Sequence, residues 1–135
     1  MRNGFSREWA ATLKTPLKTR RLTLRRIARR DEQAVSTLLR RDEGDYPKQY
    51  YFPPQQGPSA FTHHSREMNR NFSHVLLLSL FKRNTGKIVG HIELYKDQNK
   101  KPRISYYILP SERRNGYAFE AYKAVFNHAV ENGFI

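Results

Sequence analysis

The sequence predicts an α/β domain in which short strands precede one long amphipathic helix. Three strand-like runs follow one another at residues 74–81, 87–95 and 103–109. The last run leads into a polar turn, a glycine and a helical pattern that ends near Asn132. Such an order is typical of domains that pack helices on a sheet. The 135 residues are enough for one domain of this kind.

The composition narrows the classes of function. The formal net charge is +13, and a field of that sign attracts anions such as nucleotide cofactors, acidic proteins or nucleic acid. The chain has no cysteine, which excludes disulfides, thiolate metal ligands and a cysteine nucleophile. No apolar run approaches the roughly 20 residues that span a bilayer, and no signal-peptide core is present. We therefore expect a cytoplasmic protein with no membrane partner.

The first half of the chain carries fewer structural signals. Residues 1–18 have the composition of a basic, loosely ordered extension. Leu22 and Leu24 alternate with polar residues, which predicts a half-buried strand. Asp31 is suited to cap a following helix. Residues 42–59 are rich in proline, glycine and aromatic residues, which predicts a surface loop.

Six arginines crowd residues 18–30. One interpretation is a solvated strand and loop. The other is a basic, non-catalytic module that binds RNA or the ribosome by charge, with stacking on the aromatic residues of the stretch 46–52.

The connection between the last strand and the helix is suited to binding phosphate groups. The first turn of a helix has unpaired N–H groups and partial positive charge. Gly116 has no Cβ and lets a ligand approach the backbone, while Arg113 and Arg114 add positive charge. The alternative is an ordinary strand–helix connection with two solvated arginines.

The sequence around residues 113–118 resembles that of a known protein family. The pattern Arg113-x-x-Gly116-x-Ala118 is similar to the signature of GNAT acetyltransferases. The pattern that continues to Glu120, and the segment 19–25, resemble the branch that acetylates ribosomal-protein N-termini. The resemblance implies a GNAT-type fold over residues 19–135, with a mixed, mostly antiparallel sheet flanked by helices.

The resemblance also implies an activity and its ligands. A GNAT enzyme transfers an acetyl group from acetyl-CoA to a primary amine, here a protein N-terminus, such as that of a ribosomal protein, or a small amine. Nucleic acid is expected to bind only non-specifically. In the family, the turn holds the pyrophosphate and the end of the preceding strand pairs with the pantetheine arm. The cofactor-binding residues implied are Ile108, Leu109, Arg113, Arg114, Asn115, Gly116, Tyr117 and Ala118.

Two residues of the middle strand are candidates for catalysis. Acetyl transfer to an amine needs a base that removes a proton from the ammonium group. Glu93 is our first candidate and His91 the second, because both share one face of the strand that the resemblance places beside the cofactor strand. The alternative is an outward-facing polar pair. His63 and His64 are not spaced with carboxylates in a way that suggests a metal site, so we expect no bound metal.

The last residues, Phe134 and Ile135, have the composition of a strand that is just beginning. The family fold continues with further strands and a helix, so the resemblance implies a fold truncated after the cofactor-binding helix, without the usual general acid. We accordingly expect a poor acetyltransferase with an exposed strand edge, which a dimer or a complementing chain would cover.

Overall fold

The computed structural model describes residues 14–31, 33–34 and 75–135, which form a five-stranded antiparallel sheet with one long helix packed on it. The strands lie side by side in chain order. The architecture confirms the predicted class of sheet and helix. The elements are β1 (Leu17–Lys18), β2 (Leu22–Arg25), β3 (Val75–Lys82), β4 (Ile88–Lys96), β5 (Pro102–Ile108) and the helix α1 (Tyr117–Glu131).

Helix α1 packs on the sheet through a stripe of small residues. Ala121, Val125 and Ala129 recur every four residues and are buried against leucines of β2 and β3. Small side chains let the helix axis approach the sheet closely. Helical spacing in the sequence groups Tyr122 with this stripe, but Tyr122 is 38% exposed and stacks on Phe126 at a centroid distance of 5.9 Å.

In the sequence of β4, Ile88, Gly90, Ile92 and Leu94 alternate with the residues between them, which predicts that these four share one face. A bulge shifts this alternation. The register between β3 and β4 changes at Leu80 and Phe81. Val89, rather than Ile88, therefore joins the core under α1. Gly90 is required beside the bulge, because a Cβ there would lie 2.1 Å from the carbonyl oxygen of Tyr107.

The sequence predicts hairpin turns at residues 84–86 and 96–101, and both are present. Gly86, at φ 76°, closes the turn between β3 and β4. The next turn is organised by Asp97, whose Oδ1 accepts hydrogen bonds from the backbone N–H groups of Asn99 (2.8 Å) and Lys101 (3.0 Å).

Gly133 follows the helical pattern in the sequence, which predicts a glycine cap, and α1 ends in this way. Gly133 has φ 78° and donates its N–H to the carbonyl of Val130, while Phe134 donates to Ala129. These two bonds form a Schellman motif. Phe134 packs against the core, and neither Phe134 nor Ile135 is in a strand, so that part of the prediction was wrong.

At the other end, β1 belongs to the sheet. Leu17 and Lys18 pair with Leu24 and Thr23, so the hairpin crosses the predicted boundary between residues 18 and 19. Residues 33–34 are helical, and most of the helix predicted after Asp31 lies outside the described residues, as do the loop 42–59 and His63-His64. Within the described residues, no helix is long and apolar enough to cross a membrane.

Candidate functional site

The turn before α1 presents backbone N–H groups to solvent. Gly116 is the N-cap at φ 79°, and no side chain caps the helix. The first intrahelical bond runs from the N–H of Glu120 to the carbonyl of Gly116 (3.1 Å), so the N–H groups of residues 117–119 precede it. Arg114 also has positive φ (67°), which is uncommon for a residue with a side chain. Alternating left-handed residues of this kind shape a concave turn suited to an anion.

Arg21 lies in the turn between β1 and β2 and adds positive charge to the turn before α1. Its Nη2 lies 3.5 Å from the point where a Cβ on Gly116 would stand. Its guanidinium carbon lies 4.6 Å from the ring centroid of Tyr117, a cation–π contact. Arg21 therefore joins the predicted phosphate turn, although it is 95 residues earlier in the chain.

Glu120 fixes Arg21 in this position. One carboxylate oxygen accepts the Arg21 Nε–H at 2.7 Å, and the other accepts the Arg21 backbone N–H at 2.8 Å and the Thr19 hydroxyl. Burial alone would raise the pKa of Glu120, but the hydrogen bonds from Thr19 and Arg21 outweigh it and hold the pKa below its usual value. Helical spacing in the sequence groups Glu120 with Lys123, Asn127 and Glu131 on the side of α1 that needs no cover, and these contacts show that this prediction was wrong for Glu120.

A groove of about 300 Å³ runs from the turn along the end of β5, which is one of the two edge strands of the described sheet. The N–H of Leu109 donates to Val89 and Gly90 lies opposite Ile108, so the N–H and C=O of Ile108 point away from β4, into the groove. The Ile108 carbonyl accepts a hydrogen bond from Arg113 Nε at 2.8 Å. The groove thus offers a strand-like peptide edge to an extended ligand.

The structure does not support a backbone contact by Leu109. Its N–H donates to Val89 at 2.9 Å, and its carbonyl accepts from Glu112 at 2.8 Å. Both groups are therefore used within the chain, and the edge contact is confined to Ile108 and the alternate residues before it.

The one acidic side chain in the turn is neutralised. Glu112 lines the groove and forms an ion pair with Lys82 Nζ at 2.9 Å, at the end of β3. The hydrogen bond to Glu112 raises the pKa of Lys82. The pairing keeps a negative charge in the turn from repelling an anion, and the sequence contains no local signal for it.

Glu93 and His91 lie on the face of the sheet opposite α1, and both are buried. Their burial argues against the alternative of an outward-facing polar pair. Burial raises the pKa of Glu93, and the Ser105 hydroxyl, which donates at 3.3 Å, partly offsets this. Burial lowers the pKa of His91 to about 3, and its Nδ1 lies 3.0 Å from the Ser79 hydroxyl. Glu93 is thus the stronger base.

The structure brings most of the candidate residues together and separates the rest. Arg113, Arg114, Gly116, Tyr117 and Ala118 line one groove with Ile108. Asn115 stabilises the turn instead, because its Nδ2–H groups donate to the carbonyls of Glu112 (3.0 Å) and Arg113 (3.4 Å). Among the described residues, no group of three His, Asp or Glu side chains could hold a metal.

A family model for the GNAT acetyltransferase domain matches residues 21–134 of this chain. The chain belongs to the GNAT acetyltransferase family. The match begins at Arg21, in the turn before β2, and includes the helix that carries Glu120, so both sides of the predicted phosphate turn lie inside the family domain.

Solved structures show the same fold. A proposed ribosomal-protein-serine acetyltransferase from Vibrio cholerae has 22% identity and a TM-score of 0.73, over 89% of this chain and 69% of that one. The ribosomal L7/L12 alpha-N-protein acetyltransferase RimL, in complex with coenzyme A, has 18% identity and a TM-score of 0.65, over 87% of this chain and 68% of RimL. The microcin C7 self-immunity acetyltransferase MccE, in complex with acetyl-CoA and AMP, has 15% identity and a TM-score of 0.67, over 93% of this chain and 72% of MccE.

This GNAT chain spans between 64% and 69% of the length of three of the similar solved chains. By sequence, no match was found among curated proteins. GNAT acetyltransferases use acetyl-CoA, and two of the similar structures contain acetyl-CoA or coenzyme A. The turn fits that ligand, because it combines uncapped N–H groups, a glycine that leaves the backbone open and a fixed guanidinium.

Proposed function

We propose that this chain binds acetyl-CoA and transfers its acetyl group to a primary amine. The observation that carries the proposal is the uncapped first turn of α1, beside Gly116 and the guanidinium of Arg21. A diphosphate bears charge that these N–H groups and this arginine stabilise. The N–H groups of residues 117–119 and the side chains of Arg21 and Arg114 are its proposed ligands.

The groove along β5 is the proposed path of the pantetheine arm. An extended amide-containing chain pairs with a strand edge through main-chain hydrogen bonds. Ile108 presents its N–H and its carbonyl to the groove, and the carbonyl also accepts a hydrogen bond from Arg113 Nε. The bound coenzyme supplies an activated thioester at the end of this arm.

Glu93 is the proposed general base. An amine acceptor is protonated at neutral pH and becomes a nucleophile only after it loses a proton. The buried carboxylate of Glu93 has a raised pKa, which makes it a better proton acceptor than an exposed one. His91, our second candidate, stays neutral and is too weak a base for this role, so we place it as a partner of Ser79.

The proposed acceptor is a primary amine, either a protein N-terminus or a small amine. The likeness to RimL makes the N-terminus of a ribosomal protein the first acceptor to test. A panel of N-terminal peptides and small polyamines, assayed by release of free coenzyme A thiol, separates the two classes.

Calorimetric titration with acetyl-CoA tests the binding site. Gly116→Asp places a carboxylate beside Arg21, where phosphate is proposed to bind, and we expect affinity to fall by at least tenfold. Gly133→Asp is the matched control, since it adds the same charge at nearly the same φ (78° against 79°) at the other end of α1. Equal affinity in the two folded variants would refute the phosphate assignment.

A further inference from the structure

The hairpin between β4 and β5 carries a cluster of cations at the end of β5 that is far from Gly116. This basic hairpin, residues 96–103, has four basic side chains and one acid, Asp97. The basic side chains are Lys96, Lys100, Lys101 and Arg103. The last three are exposed, so most of the positive charge faces solvent.

The one acid of the basic hairpin is used inside the turn. Asp97 accepts the backbone N–H groups of Asn99 and Lys101 on one carboxylate oxygen, and Arg103 Nε–H at 2.9 Å on the other. Its backbone also bonds to Lys100 and Lys101, at 2.9 Å each. No carboxylate of the described residues forms an ion pair with Lys100 or Lys101. Asp97 therefore fixes the turn and leaves two lysine charges available to a ligand.

The chemistry of the basic hairpin favours carboxylates over nucleic acid. Burial and the nearby charge of Lys100 lower the pKa of Lys96, and a carboxylate beside these two cations would relieve their repulsion. The forked guanidinium of Arg103, which would suit a phosphate, is already bound to Asp97. Residues 96–103 also contain no aromatic side chain on which a base could stack.

The basic hairpin lies on the same pair of strands as Glu93, the proposed base. Glu93 is opposite Ser105, and Tyr95 is opposite Arg103. Residues that are opposite each other project from the same face of a sheet, so Arg103 shares the face of Glu93. Two residues of strand span roughly 7 Å, and four span roughly 13 Å, which reaches Lys101.

The direction of a peptide acceptor follows from this order. The proposed pantetheine path is the groove lined by residues 106–108, which lies between Ser105 and the phosphate turn. An acceptor whose amine reaches Glu93 therefore extends the other way along the strands, towards the basic hairpin. An extended peptide advances about 3.3 Å per residue, so its third to fifth residues should lie beside the cations.

We propose that the basic hairpin binds acidic side chains near the N-terminus of a peptide acceptor. The inference rests on the proposed function, which places the acetyl donor along β5 and the base at Glu93. Attraction of the acceptor's carboxylates to Lys100 and Lys101 favours acidic N-terminal peptides. A polyamine is positively charged and is repelled by the same side chains.

Fluorescence anisotropy on the full chain tests this assignment at one low salt concentration, because salt screens exposed charges. Three peptides of equal length carry a dye at the C-terminus. The first has aspartates at positions 3–5, the second has the same composition with the aspartates at positions 9–11, and the third has lysines at positions 3–5.

Two double variants separate the basic hairpin from the general charge of the chain. Lys100→Gln with Lys101→Gln removes the two exposed lysines of the hairpin. Lys18→Gln with Lys87→Gln is the matched control, since it removes two exposed charges at the other end of the sheet. All four side chains are exposed, so both variants are expected to fold.

We expect the wild-type chain to bind the first peptide about fivefold more tightly than the second, as for two exposed ion pairs, and the lysine peptide most weakly. The hairpin variant should lose most of this preference, and the control should keep it. In acetyl transfer, followed by release of coenzyme A thiol, the preference should appear in KM with kcat unchanged, because the hairpin does not touch the reacting atoms.

Three results would overturn the proposal. If coenzyme A binds in calorimetry but the two acidic peptides bind equally, or the hairpin variant keeps the preference, the hairpin does not select the acceptor and the proposed function stands. If coenzyme A does not bind, the proposed function fails, and the acceptor assignment fails with it. If a single-stranded oligoribonucleotide binds more tightly than the first peptide and loses affinity in the hairpin variant, the hairpin is a nucleic-acid site.

Discussion

Glu120 and Arg21 lie 99 residues apart in the sequence and share two hydrogen bonds of 2.7 and 2.8 Å. The pair connects α1 to the turn between β1 and β2, and it holds the guanidinium over Tyr117 and close to Gly116. A side chain as long as arginine loses much rotamer freedom when it binds an anion. Glu120 has already restricted that freedom, so we expect a phosphate bound at the proposed site to gain more from Arg21.

Loss of the Glu120 charge should therefore weaken binding as well as stability. We expect Glu120→Gln to reduce the affinity for coenzyme A several-fold and to lower the free energy of unfolding by about 1 kcal/mol. Glu131→Gln, on the exposed side of the same helix, is the control and should change neither. Unchanged affinity with reduced stability would mean that Glu120 serves the fold alone.

The sequence predicted the parts of the site that are local in the chain. The turn and helix around Gly116, and the glycine cap at Gly133, follow from backbone rules that act over a few residues. The pairing of Arg21 with Glu120 depends on the packing of α1 against the first hairpin, and no local pattern encodes it. A motif search for a carboxylate one turn inside a phosphate-binding helix would have indicated a basic partner.

The sequence predicted where helices and strands occur better than it predicted which of their side chains are buried. Helical periodicity placed Tyr122 with the buried stripe and Glu120 with the solvated one, but both lie at the border between the faces. A shift of one residue around a helix is 100°, so neighbours at such a border cannot be assigned by spacing alone. The bulge that brings Val89 into the core breaks the period of β4 in the same way.

The buried carboxyl of Glu93 should reduce stability at neutral pH. Because burial raises its folded pKa above the unfolded value of 4.5, the cost is absent below that value and develops as pH rises through the folded pKa. We expect Glu93→Gln to be more stable than wild type at pH 7, by about 1 kcal/mol, and equal to it below pH ~4. Acetyl transfer should fall by about 10²–10⁴-fold.

Asp97→Asn provides the control of opposite sign. Backbone hydrogen bonds from Lys101 and a side-chain bond from Arg103 lower the pKa of Asp97, so its contribution is present above the unfolded value and is lost as pH falls. This variant should be less stable than wild type at pH 7. A Glu93→Gln chain that kept full activity would remove Glu93 from the mechanism.

His91 should make the fold sensitive to mild acid. Its pKa is about 6.5 when unfolded and about 3 when folded, so between these values only the unfolded chain binds the proton. Stability then falls as pH falls, by at most about 1.4 kcal/mol per pH unit. His91→Asn removes this titration. Urea unfolding between pH 6.5 and 5 should show a shallower slope for the variant, and an equal slope would assign the titration to another group.

Gly90 should be intolerant of even one methyl group. A Cβ at this position would lie 2.1 Å from the Tyr107 carbonyl oxygen and 3.1 Å from the Ile108 Cα, both of which are backbone atoms. We expect Gly90→Ala to lower the free energy of unfolding by about 1–3 kcal/mol or more and to displace β5 with its groove. Gly86→Ala, with nothing within 4 Å, is the control, and only its positive φ of 76° should cost stability.

The groups proposed to contact the coenzyme around Gly116 and Ile108 are largely peptide groups. Such contacts do not depend on which side chains the positions carry, so the residues can diverge while the ligand contacts persist. Among the encoded amino acids, only proline deletes a main-chain N–H. At residues 117–119, proline should therefore weaken coenzyme A binding more than replacements that keep the main-chain N–H, and evolutionary constraint should concentrate on Gly116 and on the distant ion pair that flanks it.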